Sequence, residues 1–144
     1  MRAMPKRTLA IAAFLVACLS LPALGVAQSG GDRQRVSRAI ECHTPNVTDG
    51  DSLRCNDQRI RLLGIDAPEM PGSCRPGRRC VQGDPYAARD YLISLTRTTV
   101  RCTPEGRDRY GRTLARCTAN GIDLSCAMIR SGHAVRRYAD IRCR

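Results

Sequence analysis

Apolar positions fall in short runs along residues 39–65 and 98–119, each cut off by turn-forming residues. Residues 39–47, 52–55 and 58–65 read as three strands of a meander, separated by Thr48-Asp49-Gly50 and Asn56-Asp57. Residues 70–83, MPGSCRPGRRCVQG, hold too much Gly, Pro and Arg for a regular element and predict a loop clipped by Cys74 and Cys80. Asp84-Pro85 then opens a helix to about residue 96, with Asp84 as N-cap and Pro85 at the first position. Two more strands, 98–103 and 113–119, flank the polar turn PEGRDRYGR. After Asn120-Gly121, Asp123 caps a second helix, DLSCAMIRSG, which Gly132 ends. The order of elements predicts an α+β, mainly β fold: a five-stranded Greek-key barrel of the OB type with two to three helices.

The chain's start follows a different pattern. Arg2, Lys6 and Arg7 precede an apolar run over residues 9–26 and the small residues Gly25-Val26-Ala27. This reads as an export signal, residues 1–27, and predicts a secreted or periplasmic protein. Leu15-Val16-Ala17-Cys18 gives a weaker alternative, a lipoprotein attached through Cys18, but the apolar run continues well past it. A permanent membrane span is disfavoured because the run is short and interrupted by Pro22. Residues 28–38 are polar and Gly-containing and read as a disordered lead-in to one domain over residues 39–144.

Loss of the signal removes Cys18 and leaves eight cysteines, an even number that in an exported chain implies disulfides. Zinc is disfavoured, because C-x-x-C pairs and clustered histidines are absent. Cys74 with Cys80 lies within one loop, and Cys102 with Cys117 flanks one hairpin, so each pair can meet. Cys42 with Cys55 and Cys126 with Cys143 follow by elimination. With Phe14 in the signal and no Trp, the core is aliphatic and thin, the situation in which disulfides supply missing stability.

The 24 basic and 13 acidic residues give the chain +11, and without the signal's three basic residues the balance is 21 − 13 = +8. Every basic residue after Lys6 is arginine, whose planar fork suits phosphate, although a GC-rich coding bias produces the same composition.

The charged motifs carry little weight singly. Asp49-Gly50-Asp51 reads as a hairpin turn whose two carboxylates could also hold a hard cation, and Asp108-Arg109-Tyr110-Gly111-Arg112 as a solvated turn. In RLLGIDAPE, residues 61–69, Asp66 and Glu69 straddle Pro68, so the chain turns and can aim both carboxylates at one point. Taken in order, TDGDS, RLLGIDAPE, DRYGR-x-LA and DL-x-x-x-MIRSG-x-A resemble the staphylococcal nuclease (thermonuclease) family over residues 47–138. That resemblance implies an OB barrel and a Ca²⁺-dependent nuclease cleaving DNA and RNA to 3′-phosphate ends. By it Asp51, Asp66 and the Ala67 carbonyl correspond to calcium ligands, and Glu69 to the carboxylate beside the attacking water. Arg61 and Arg112 match the phosphate-clamping arginines, Tyr110 and Tyr138 fall at substrate-contacting positions, and Arg109 is the nearest substitute for lysines that the staphylococcal enzyme has around its site and this chain lacks. Ala67 and Ser52 stand where the staphylococcal enzyme has threonines, and the loop after Glu69 is longer. Arg61 and Asp66 are five apart, which on an unbroken strand sends them to opposite faces, so Gly64 is expected to bulge or bend.

Two rival readings remain. An OB module can bind nucleic acid or protein without chemistry. A metal-independent ribonuclease would use His43 and His133 as acid and base, but such a mechanism also wants a lysine at the phosphate. A monomer with no stable protein partner is expected.

Overall fold

The computed structural model describes residues 38–143. The expected export signal with Cys18, most of the lead-in, and Arg144 lie outside them. Along the described chain run β1 (Ile40–Cys42), β2 (Asn46–Asp49), β3 (Ser52–Cys55), β4 (Gln58–Leu62), β5 (Ile65–Asp66), α1 (Pro85–Leu95), β6 (Val100–Arg107), β7 (Thr113–Ala119), β8 (Ile122–Asp123), α2 (Leu124–Arg130) and β9 (Val135–Arg136).

The main sheet has the order β1-β6-β7-β4-β3-β2, with β8 added on β7 and a separate β5–β9 pair. Among the described strands, β4 and β7 alone pair in parallel. β1 and β2 are consecutive in the chain yet sit at opposite ends of this path, so the sheet must curl back on itself. The Cys42–Cys55 disulfide joins β1 to β3 at a Cα separation of 5.5 Å and ties the curl together. The result is the expected α+β, OB-type half-barrel with two described helices. All four expected disulfides are formed, Cys74–Cys80, Cys102–Cys117 and Cys126–Cys143 being the others.

Several boundaries differ from the sequence reading. The strand expected over 39–47 is two strands, because Pro45 lacks an N–H and the chain must leave β6 to join β3. The segment 104–107, read as a turn, continues β6 beside β7, with the register shift between Pro104 and Gly106 absorbing the proline. The strand expected over 58–65 breaks at Gly64, which has φ +76°. A Cβ there would lie 2.4 Å from Ile141 Cγ2, so close packing of the C-terminal segment and the left-handed backbone both require glycine.

Leu53, Ile60, Leu62, Ile65, Leu92 and Met128 fill the centre. The fully buried Cys102–Cys117 bridge lies among them, substituting sulfur for the aromatic volume the chain lacks. Asp84 caps α1 by accepting from the amides of Tyr86 and Ala87, and Asp123 caps α2 by accepting from that of Cys126, both as expected. α1 packs so closely on the β2–β3 turn that a Cβ on Gly50 would stand 2.8 Å from the methyls of both Ala67 and Ala88. The Asp49-Gly50-Asp51 turn is therefore held in a fixed position by the helix.

Candidate active site

The break at Gly64 solves the parity problem posed by Arg61 and Asp66. β4 delivers Arg61 to the outward side of the sheet, since Ile60 and Leu62 point into the core. After the turn, β5 resumes in a new direction against β9, and Asp66 comes round to face Arg61. Arg61 Nη2 donates to Asp66 Oδ1 at 2.7 Å, and Nη1 to Asp51 Oδ1 at 2.6 Å. One buried guanidinium thus unites two carboxylates from separate motifs. Burial works against the charge of Arg61, and Asp51 with Asp66 more than offsets it, so its pKa is pulled up.

Asp51 is 3% exposed and also accepts from the Ser52 hydroxyl at 2.9 Å and the Ala67 amide at 3.0 Å. Even so, burial pushes its carboxyl up to about 7; Arg61 pulls the other way, and the nearby Asp49 adds to the rise. Asp66, with no exposed surface, is surrounded by cations. Arg78 Nη2 reaches Oδ1 at 2.8 Å and Arg137 Nη1 reaches Oδ2 at 2.7 Å.

Arg78 also pairs with Glu69 and approaches the Tyr138 hydroxyl at 3.4 Å. It comes from the loop closed by Cys74–Cys80, whose base is pinned by the Pro68–Val81 bridge. Arg112 is held by Asp108, its Nε donating to Oδ2 at 2.8 Å, and its Nη1 lies 3.4 Å from the Ser52 hydroxyl. For Asp108, burial alone would raise the pKa, but the bonds from Arg112 and from the turn amides hold it below the usual carboxylate range.

Tyr110 and Tyr138 flank a cleft of about 650 Å³ that Arg61, Arg75, Arg78, Arg109 and Arg112 also line. Arg75 and Arg109 stand 4.6 and 4.9 Å from the Tyr110 ring centre, and Tyr138 is 70% exposed beside Arg61. Arg61, Glu69, Arg112, Asp51, Asp66, Arg109, Tyr110 and Tyr138 are therefore gathered in one region, and Ala67 meets Asp51 through its amide. His43 bonds to Thr99, His133 packs on Tyr91, and neither lines this cleft.

Three arginines escaped sequence reasoning: Arg75, Arg78 and Arg137. The dense RPGRR run between two cysteines was a signal for the first two. Nothing distinguished Arg137 from Arg136 before β9, which ends at Arg136, was placed beside β5.

The family model for staphylococcal nuclease homologues matches residues 59–143, more than half of the chain. The chain belongs to this family. The match carries RLLGIDAPE and DRYGR, while the DGD turn lies upstream of it and is joined to the site by the Arg61–Asp51 bond. Among relatives of this staphylococcal nuclease homologue, the succinoglycan biosynthesis protein ExoI of Rhizobium meliloti is 39% identical over 100 residues, covering 66% of this chain and 51% of the relative. An uncharacterized endonuclease of Escherichia coli is 36% identical over 61% of this chain and 55% of its own length. The probable endonuclease LCL3 of Paracoccidioides brasiliensis is 36% identical over 52% of this chain and 23% of its own. The chain thus spans about half or less of the length of these relatives.

A hard cation fits the donor chemistry of this homologue's site. Asp51 and Asp66 offer only oxygen, the donor type a hard cation takes, although Arg61 now bonds both. Among the described residues no three His, Cys, Asp or Glu side chains are grouped so as to hold a metal ion.

The raised Asp51 pKa also sets a pH dependence. The folded carboxyl holds its proton to about 7, whereas the unfolded one releases it near 3.8, so its contribution to stability is greatest below about 4 and falls as pH rises through 7. In chelator, the stability of the native chain relative to Asp51→Asn should therefore decline between pH 4 and 7. Denaturant melts across that window check this, and a flat difference would contradict the burial argument.

Proposed function

We propose that this protein is a secreted, calcium-dependent nuclease that hydrolyses phosphodiester bonds of DNA and RNA and leaves 3′-phosphate ends. The observation that carries the reading is the single buried guanidinium of Arg61 spanning Asp51 and Asp66, with Arg112 lining the same cleft and Glu69 tied to its edge through Arg78. Family membership and two relatives named as endonucleases support it. The apolar N-terminal run and the disulfides support export.

A phosphodiester is anionic and repels hydroxide, so hydrolysis requires charge neutralisation, a positioned water and stabilisation of the five-coordinate transition state. Arg61 and Arg112 donate to the phosphate oxygens as negative charge builds there. Glu69 orients the attacking water or takes its proton, and the P–O5′ bond breaks. Tyr110 and Tyr138 bound the nucleotide. Asp51, Asp66 and the Ala67 carbonyl would hold Ca²⁺, which when bound neutralises the phosphate and lowers the barrier to attack. Arg61 bridges Asp51 and Asp66, and Arg78 bridges Asp66 and Glu69, so both guanidinium groups must turn from these carboxylates before a cation, a water and the phosphate can use the site.

The test is hydrolysis of DNA and RNA with calcium and then with chelator, alongside calorimetric titration of calcium. Cleavage should vanish with chelation. Calcium should bind more tightly with a nucleoside bisphosphate present, and the bisphosphate more tightly with calcium by the same factor. Asp51→Asn and Asp66→Asn should both weaken calcium binding. Binding of nucleic acid without cleavage would favour a binding module, and cleavage of RNA alone in chelator a metal-independent ribonuclease. Unchanged calcium affinity in both variants would remove the shared-ion assignment.

A further inference from the structure

The outward face of the β3–β4 hairpin continues past the cleft. Leu53, Cys55, Ile60 and Leu62 are buried in the core, so by alternation Ser52, Arg54, Arg59 and Arg61 take the opposite face. The strand register pairs Ser52 with Arg61 and, two residues further along, Arg54 with Arg59. The first pair belongs to the cleft. The second is exposed and lies about 6.8 Å away along the strands.

Two like charges directly opposite on antiparallel strands repel one another. Among the described residues, neither Arg54 nor Arg59 has a carboxylate partner, unlike Arg101 on β6 and Arg116 on β7, which pair with Glu41 and Glu105. Arg59 instead donates to the Tyr110 carbonyl at 2.7 Å, and the exposed Arg107 to that of Gly111 at 3.1 Å. Both are thereby drawn to the 108–112 turn. The parallel register of Ile60 with Thr113 sets Arg59 alongside Arg112, so Arg112, Arg59 and Arg54 stand on three neighbouring segments. The sheet spaces such segments by about 4.8 Å.

We propose that Arg59 and Arg54, flanked by Arg107, form a track for the polynucleotide backbone that leads away from the cleft and holds phosphates beyond the one at Arg61 and Arg112. The track rests on the nuclease reading for the identity of its polyanion. An uncompensated cross-strand cation pair costs the fold stability, and a chain of phosphates passing over it removes that cost while releasing counterions. The consequence is selectivity for length: a long strand gains contacts that a mononucleotide cannot make.

Arg54 lies outside the cleft, so its variants separate the two. Binding of a long labelled single-stranded DNA and of a nucleoside bisphosphate is measured by anisotropy and calorimetry in chelator over a range of salt. Arg54→Gln should weaken long-strand binding and flatten its log–log salt slope by about 0.7, the loss of one phosphate contact, with bisphosphate affinity unchanged. Arg54→Glu should weaken long-strand binding further and yet raise the melting temperature, because it converts a repulsive cross-strand pair into an attractive one. A purely structural role predicts no such opposition. Long-strand affinity and salt slope equal to those of the native chain in Arg54→Glu would overturn the track. If the native chain binds the long strand but does not cleave it when calcium is added, the nuclease reading fails, and the Arg54 comparison still decides the track.

Discussion

Arg61→Ala should lose turnover by on the order of 10² or more and also destabilise the fold by about 3–5 kcal/mol. The double effect comes from its position. Arg61 is 7% exposed and, among the described residues, is the one cation bonded to Asp51, so its removal leaves a buried carboxyl group with one amide and one hydroxyl for company. Asp66 suffers less, because Arg78 and Arg137 stay on it. Lysine cannot rescue the site fully, since one ammonium does not reproduce the fork that spans both carboxylates. Arg112→Ala should lose turnover on a similar scale with little loss of stability, as the 108–112 turn remains closed by the Tyr110 and Gly111 amides and the Asp108–Arg112 backbone bond. Steady-state kinetics with urea melts on both variants separate the cases. A rise in KM with kcat intact would show that these arginines only bind the substrate.

Replacing Cys42 and Cys55 together by alanine should cost about 3 kcal/mol or more and lower the melting temperature by more than about 10 °C. Both sulfurs are buried, and the bridge links strands that are not neighbours in the sheet, so its loss frees the edge at which the sheet curls back. The corresponding change at Cys74 and Cys80 should barely move the melting temperature, because that ring hangs outside the core and constrains only a short loop. It should instead loosen Arg75 and Arg78 and raise KM. Thermal melts of the two double variants provide the comparison. Equal losses would mean that the β1–β3 bridge does not close the barrel.

Much of the fold was legible because its determinants are local. Asp84-Pro85 and Asp123 cap helices by bonding amides two or three residues away, and such signals survive without tertiary context. The cysteine pairs in one loop and across one hairpin were legible for the same reason. The break after residue 42 was missed because it depends on β1 and β2 joining different partners, and the extension of β6 to Arg107 was missed because it depends on β7 lying alongside.

For the site, the sequence determined which groups are available: two acidic motifs, an arginine at the head of RLLGIDAPE and another in the DRYGR turn. It also required a break at Gly64, since strand parity forbids Arg61 and Asp66 from meeting otherwise. Only the tertiary structure decided which arginines meet which carboxylates. Arg78 and Arg137 reach Asp66 from positions 12 and 71 residues away, one from a disulfide-closed loop and the other from just past β9, the short strand paired with β5. An arginine's charge is the same everywhere along the chain, so composition and spacing cannot rank one above another. Burial can, because a carboxylate removed from water must find its cations among whichever side chains the fold brings within hydrogen-bond reach.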